Sequence, residues 1–77
     1  MKIELNPFTC EVIVKRGTSS FEYFYEDNDH WQSVTFGGKV YDIHILYDQG
    51  LSVSVYPVID NQVDYNTIVK YNLKVTY

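Results

Sequence analysis

The sequence predicts a small all-β domain, and three observations carry that expectation. Apolar and polar residues alternate with period two almost from end to end, and no stretch keeps a 3.6-residue apolar rhythm for three turns. Eight tyrosines, four phenylalanines and one tryptophan make a heavy aromatic load for 77 residues, and aromatics favour strands. Short turn signals containing glycine or proline separate the alternating runs. Six or seven strands in so short a chain could not cover their own apolar face as one flat sheet. A small antiparallel barrel or a two-layer sandwich built from hairpins is therefore expected. Residues 1–77 read as a single β domain without internal repeat or linker.

The first hairpin is KIELNPFTCEVIVKRG. Asn6-Pro7-Phe8-Thr9 suits a type I turn with Pro7 at its second position. Closing the pair there sets Leu5 opposite Cys10 and Ile3 opposite Val12, with Val14 on the same apolar face. Lys2, Glu4, Glu11 and Ile13 fall on the other face. RGTSS breaks the strand, and FEYFYE begins the next, with Phe21, Tyr23 and Tyr25 on one side. EDNDHW is the most polar run and reads as a loop.

WQSVTF-GG-KVYDI is a two-residue hairpin, because Gly37-Gly38 can supply the positive φ angles of a type I′ turn. Asp48-Gln49-Gly50, with glycine last, fits a type I turn followed by a G1 bulge. Pro57 points to an edge or a strand end. Residues 60–67 give no clear pattern. IVKYNLKVTY closes the chain as a strand with Val69, Tyr71, Leu73, Val75 and Tyr77 on its apolar face.

Register follows from the two central turns, and register fixes faces. Across 48–50, Tyr47 meets Leu51, Ile45 meets Val53, Ile43 meets Val55 and Tyr41 meets Pro57, which is an apolar, core-facing set. The opposite face carries three rows: Trp31-His44-Ser54, Ser33-Asp42-Tyr56 and Thr35-Val40-Val58. Gln32 lands on the core side, at a rim or beside a bulge.

Asp42, His44 and Ser54 have the residue types of a hydrolytic triad, but a triad needs the carboxylate on one imidazole nitrogen and the serine on the other. It also needs oxyanion donors, whereas mid-strand N–H groups belong to the ladder. No G-x-S-x-G elbow occurs. No catalytic residue is expected, and the chain is not expected to be an enzyme. The face instead has the composition of an interface centre, aromatic anchors with a few polar groups. Trp31, His44 and Tyr56, with Asp42 and Ser54, are the candidate partner-binding residues. Burial of this face under a loop or a second sheet is the competing expectation.

Other chemistry is sparse. Counting from Asp27, Trp31 and Gln32 stand where an EF-hand loop requires an acidic or amide residue and then glycine. Two histidines and one cysteine do not suffice for a zinc centre, so no metal and no cofactor are expected. Ten acidic against six basic side chains give a formal charge of −4, and no basic stripe appears, so duplex nucleic acid is not expected as a partner. Glu22, Glu26, Asp27 and Asp29 form a local acidic run that reads first as solubility and second as a strip for a basic partner. No apolar run approaches a membrane span and no basic amphipathic stretch occurs, so no membrane partner is expected. Cys10 stands alone, which points to a reduced, cytoplasmic setting and to a small core residue rather than a nucleophile.

Together these features point to a non-catalytic domain that binds a partner protein through an aromatic-polar sheet face. A small acidic domain of this kind also suits an inhibitor carried by a mobile element. Tyrosine-rich edge strands offer a route to a homodimer. The alternative is a barrel that stacks single-stranded nucleic acid or a planar ligand on its aromatics.

Overall fold

The computed structural model describes residues 1–76. It is all-β, with eight strands in two four-stranded sheets and no helix among the described residues. No closed barrel forms: each sheet ends in edge strands. The chain divides into two compact units, Met1–Glu26 with Lys70–Tyr77, and Asp27–Val69. Among the described residues, no helix is long and apolar enough to cross a membrane.

The first unit holds β1 (Lys2–Asn6), β2 (Glu11–Arg16), β3 (Ser19–Phe24) and β8 (Asn72–Val75), in the order β3-β2-β1-β8. Its buried face is Ile3, Leu5, Val12 and Val14, as alternation predicts. The pairing differs from the expected one by two residues: Leu5 faces Val12 and Ile3 faces Val14. The cause is a four-residue loop in place of a two-residue one. The Asn6 side-chain oxygen accepts from the Phe8 and Thr9 amides, at 3.0 and 3.3 Å, which winds the chain through a longer turn. Cys10 ends that loop with φ at +57° and is only half-buried, so it is a turn residue and not the core residue expected. A shift of two preserves which side chains share a face, so the core survives the error.

RGTSS does not break the sheet. Gly17 and Thr18 form a two-residue turn, with Gly17 at φ +60° in the first central position as a type II′ turn requires. Ser19 and Ser20 already pair with Arg16 and Lys15. On the other side of the sheet, the Glu4 carboxylate lies between the Lys2 and Lys15 ammonium groups, at 3.6 and 3.3 Å. Lys15 above all holds its pKa below the usual carboxylate value.

The closing strand is the main departure. β8 runs parallel to β1, Ile3 beside Leu73 and Leu5 beside Val75, so the architecture is not wholly antiparallel. Only Asn72–Val75 is strand; Val69 and Tyr71 precede it, and Tyr77 lies outside the described residues. Local turn chemistry sets the direction of hairpins, but strands at opposite ends of a chain meet through a long crossover that no turn signal encodes. At the sheet's edge, Leu73 stays 42% exposed.

The second unit holds β4 (Asp29–Phe36), β5 (Lys39–Tyr47), β6 (Leu51–Ile59) and β7 (Gln62–Val63), in sequence order. Gly37 and Gly38, at φ +56° and +78°, make the expected type I′ turn. Tyr47 pairs with Leu51 as expected, but positive φ falls on Gln49 (+56°) as well as Gly50 (+138°), so the loop is not a type I turn with a G1 bulge. Asp60 and Asn61 both have positive φ and form a second two-residue turn into β7, the segment without a sequence pattern. Asp and Asn tolerate this region better than other non-glycine residues. β4 begins at Asp29, so Asp29 and His30 are strand residues and not loop. Pro57 lies within β6 rather than at its end. Its carbonyl accepts from the Asp64 amide, on the side away from β5. A strand residue's N and O point the same way, so the missing N–H costs the β5 ladder nothing.

Buried Val34, Phe36, Tyr41, Ile43, Ile45 and Val55 form one side of this second sheet. Ile43→Ala should lower unfolding stability by about 3 kcal/mol through lost burial and a residual cavity. Leu73→Ala, at the exposed edge, should cost less than about 1 kcal/mol. Urea titration of the two variants checks the contrast.

Candidate functional site

The other side of β4, β5 and β6 is the candidate site. Its rows have the expected register: Trp31-His44-Ser54, Ser33-Asp42-Tyr56 and Thr35-Val40-Val58. One further row, Asp29-Leu46-Ser52, lies beyond Trp31 because β4 starts earlier than its polar sequence suggests. The Asn28 carbonyl accepts from the Tyr47 amide at 2.7 Å, which extends the β4–β5 ladder past Asp29. Gln32 faces Ile43 without a bulge. It is half-buried, lies 3.3 Å from His30 Nε2 through its side-chain oxygen, and donates to the Ser33 carbonyl at 3.3 Å. The rim placement is therefore correct.

Within these rows the side chains form a stack. The Trp31 indole lies flat on the His44 imidazole, centroids 4.1 Å apart and planes 7° apart. Tyr56 adjoins the indole at 6.0 Å and 28°. Tyr65 meets both edge-on, 6.4 Å from Trp31 and 5.0 Å from Tyr56. Such offset and edge contacts are the favourable geometries for rings with negative faces and positive edges.

One polar pair reaches the stack and a second lies in the next row. His44 Nε2 is 2.5 Å from Asp29 Oδ1. An ionised carboxylate only accepts, so Nε2 carries the proton in this contact. Ser33 Oγ donates to Asp42 Oδ1 at 2.7 Å. Asp42 is thus bonded to Ser33 and not to His44, and the carboxylate on His44 is Asp29. Ser54 sits beside His44 in register. Asp42, His44 and Ser54 are neighbours on one face but are not connected as a proton-transfer chain. Among the described residues, no group of three or more His, Cys, Asp or Glu is placed to hold a metal ion.

The face is partly open. Trp31 is 43% exposed, while the His44 side chain beneath it is 20% exposed and the Asp29 side chain 63%. Tyr65 is the side chain that leans on the stack from outside the three strands. Its loop is tied by Asp64, whose carboxylate accepts from Thr67 Oγ1 at 2.5 Å and from the Asn66 amide at 3.0 Å. The Thr67 hydroxyl first, then the Asn66 and Thr67 amides, hold the Asp64 pKa below its ordinary 3.8.

Asp29 and Tyr65 are the members that sequence reasoning missed. Asp29 shares the odd-numbered parity of Trp31 and Ser33, a signal obscured by the density of charge before Trp31. Tyr65 is placed by a two-residue turn and a loop that carry no glycine. An open groove of about 670 Å3 adjoins the Thr35-Val40-Val58 row and is lined mainly by Val40, Tyr41, Pro57, Val58, Ile59 and Ile68.

Comparison of the chain with protein-family models, curated proteins and solved structures finds no match.

Two outcomes follow from this geometry. A double-mutant cycle with Trp31→Ala and His44→Ala should return a coupling energy of about 1 kcal/mol, the worth of a stacked pair beyond its area. Asp64, with its lowered pKa, stabilises the fold above the ordinary 3.8 and loses that contribution as pH falls through its folded value. The acid limb of the stability–pH curve should therefore be shallower in Asp64→Asn, read by thermal melts between neutral pH and pH ~2.

Proposed function

We propose that this protein is a non-catalytic binding module whose aromatic-polar face on β4, β5 and β6 receives a partner protein. The observation that carries the reading is Trp31: a large apolar ring left 43% exposed, yet stacked on His44 and braced by Tyr56 and Tyr65. Binding sites gain most from large aromatic anchors near the centre of a patch. An anchor already fixed by its neighbours has less conformational freedom to lose on binding. His44 and Tyr56 extend the anchor, and Asp42 and Ser54 supply the polar groups that set orientation.

The groups on this face suit docking better than turnover. Its histidine is bonded to Asp29 and its other carboxylate, Asp42, to Ser33, and its backbone amides belong to the sheet. A cytoplasmic setting accords with the free Cys10. A role as an inhibitor rests on small size and acidity alone.

Stacking of single-stranded nucleic acid is the weaker reading. The face presents Asp29 and Asp42 and, over residues 29, 31, 33, 35, 40, 42, 44, 46, 52, 54, 56 and 58, no lysine or arginine. Phosphate binding draws most of its affinity from such cations.

The test is photo-crosslinking in cells of the source, with a photoreactive residue at Thr35. A protein crosslinked by the parent chain should be lost, by at least about tenfold, in Trp31→Ala and retained in Phe24→Ala. Phe24 is equally an exposed aromatic, but lies on β3. Equal capture by both variants would remove the proposed face.

A further inference from the structure

We infer that the segment received by this face is basic, with an arginine seated on Trp31 between Asp29 and Asp42. The inference rests on the reading of the face as a protein-binding surface and adds the chemistry of its occupant.

Three features of the face lead there. The first is charge. Its two carboxylates stand unopposed by any lysine or arginine among the twelve residues of the four rows, in a chain of net charge −4. Complementarity of potential is what selects partners and speeds their encounter.

The second is preorganisation. Asp29 bonds His44 through Oδ1, and Asp42 accepts from Ser33 through Oδ1. Each carboxylate is oriented by a partner on its own sheet and keeps its Oδ2 for a further donor. A carboxylate held in place this way loses little freedom when an N–H arrives.

The third is spacing. Asp29 lies one row from Trp31 along β4, and Asp42 lies one row from His44 on β5, on the opposite side of the stack. Rows along a strand are about 7 Å apart. A guanidinium is planar, stacks on indole and donates in a fork that fits carboxylate oxygens, whereas an ammonium is a compact point charge. Laid on Trp31, the guanidinium has a carboxylate one row away on either side. An extended peptide has the same two-residue repeat. Basic side chains at alternate positions would therefore bring the central one to Trp31 and the outer ones to Asp29 and Asp42.

The probe is the blocked peptide Arg-Ser-Arg-Ser-Arg, titrated against the full chain and followed by emission of Trp31, the single tryptophan. Comparison peptides carry Lys or Glu in place of each Arg. Saturable binding that weakens about tenfold in Asp42→Asn and in Asp29→Asn, and weakens as salt rises, is the expected result. Both amides can keep the internal bonds to Ser33 and His44, and circular dichroism confirms the fold. The lysine peptide should bind several-fold more weakly and the glutamate peptide not at all. Glu11→Gln, on the other sheet, removes one charge elsewhere and should bind as the parent does.

Absence of binding by the arginine peptide overturns the inference. So does equal weakening in Glu11→Gln, which would mean diffuse charge attraction, or equal affinity in both aspartate variants. Equal binding of the lysine and arginine peptides overturns the assignment of arginine. The crosslinking experiment separates the two claims. A partner lost in Trp31→Ala but retained by both aspartate variants keeps the binding face and removes its basic occupant. A partner indifferent to Trp31 removes both.

Discussion

Register across β4, β5 and β6 is the constraint on which the candidate site depends. It is set where the chain reverses: at Gly37 and Gly38, whose paired positive φ angles L side chains rarely adopt, and at the three-residue loop between Tyr47 and Leu51. A slip of one residue along β5 would turn Ile43 and Ile45 out and Asp42 and His44 in. Each misplaced aliphatic would forfeit about 1.5–3 kcal/mol of burial, and each buried carboxylate would demand a partner. The binding face is thus held by the energy of the opposite face. Asp42 and His44 lie together because Tyr41, Ile43 and Ile45 must be buried.

Within that frame, short-range chemistry decides what the polar groups can do. Three serines, a histidine and two aspartates occur within four rows, and the bonds among them join Asp29 with His44 and Ser33 with Asp42. Those pairs orient side chains and engage one oxygen of each carboxylate. The stacked imidazole supports the indole as a platform. Rigidity here arises from rings on rings and from bonds between neighbouring strands, with Tyr65 added by a loop that Asp64 holds closed.

How much of this could be read from the sequence followed the range of the interactions involved. Period-two alternation identified the apolar faces of β1, β2, β4, β5 and β6, and the Gly37-Gly38 turn gave the pairing of β4 with β5 to the residue. Turns without a glycine signature were harder. The Asn6 side chain lengthens the first loop and moves Cys10 from core to turn, and Asp60-Asn61 reverses the chain with two residues that more often mark loops. Polar composition concealed the start of β4, and with it Asp29. The pairing of β8 with β1 was out of reach, because it joins residues 2–5 to 72–75 in a parallel sense that no local signal encodes. In the candidate site, Trp31, His44, Tyr56, Asp42 and Ser54 fall on one face by parity. Which of them bond depends on side-chain directions that parity does not specify.

The central claim is that one face of β4–β5–β6 presents a fixed, solvent-reachable aromatic platform. Because Trp31 is the single tryptophan, its quenching by neutral acrylamide reports on that face alone. A quenching constant clearly below that of free indole but well above that of a buried one, with a red-shifted emission maximum, is the expected result. Emission that acrylamide fails to quench in the free protein would mean that the platform is covered, and would contradict it.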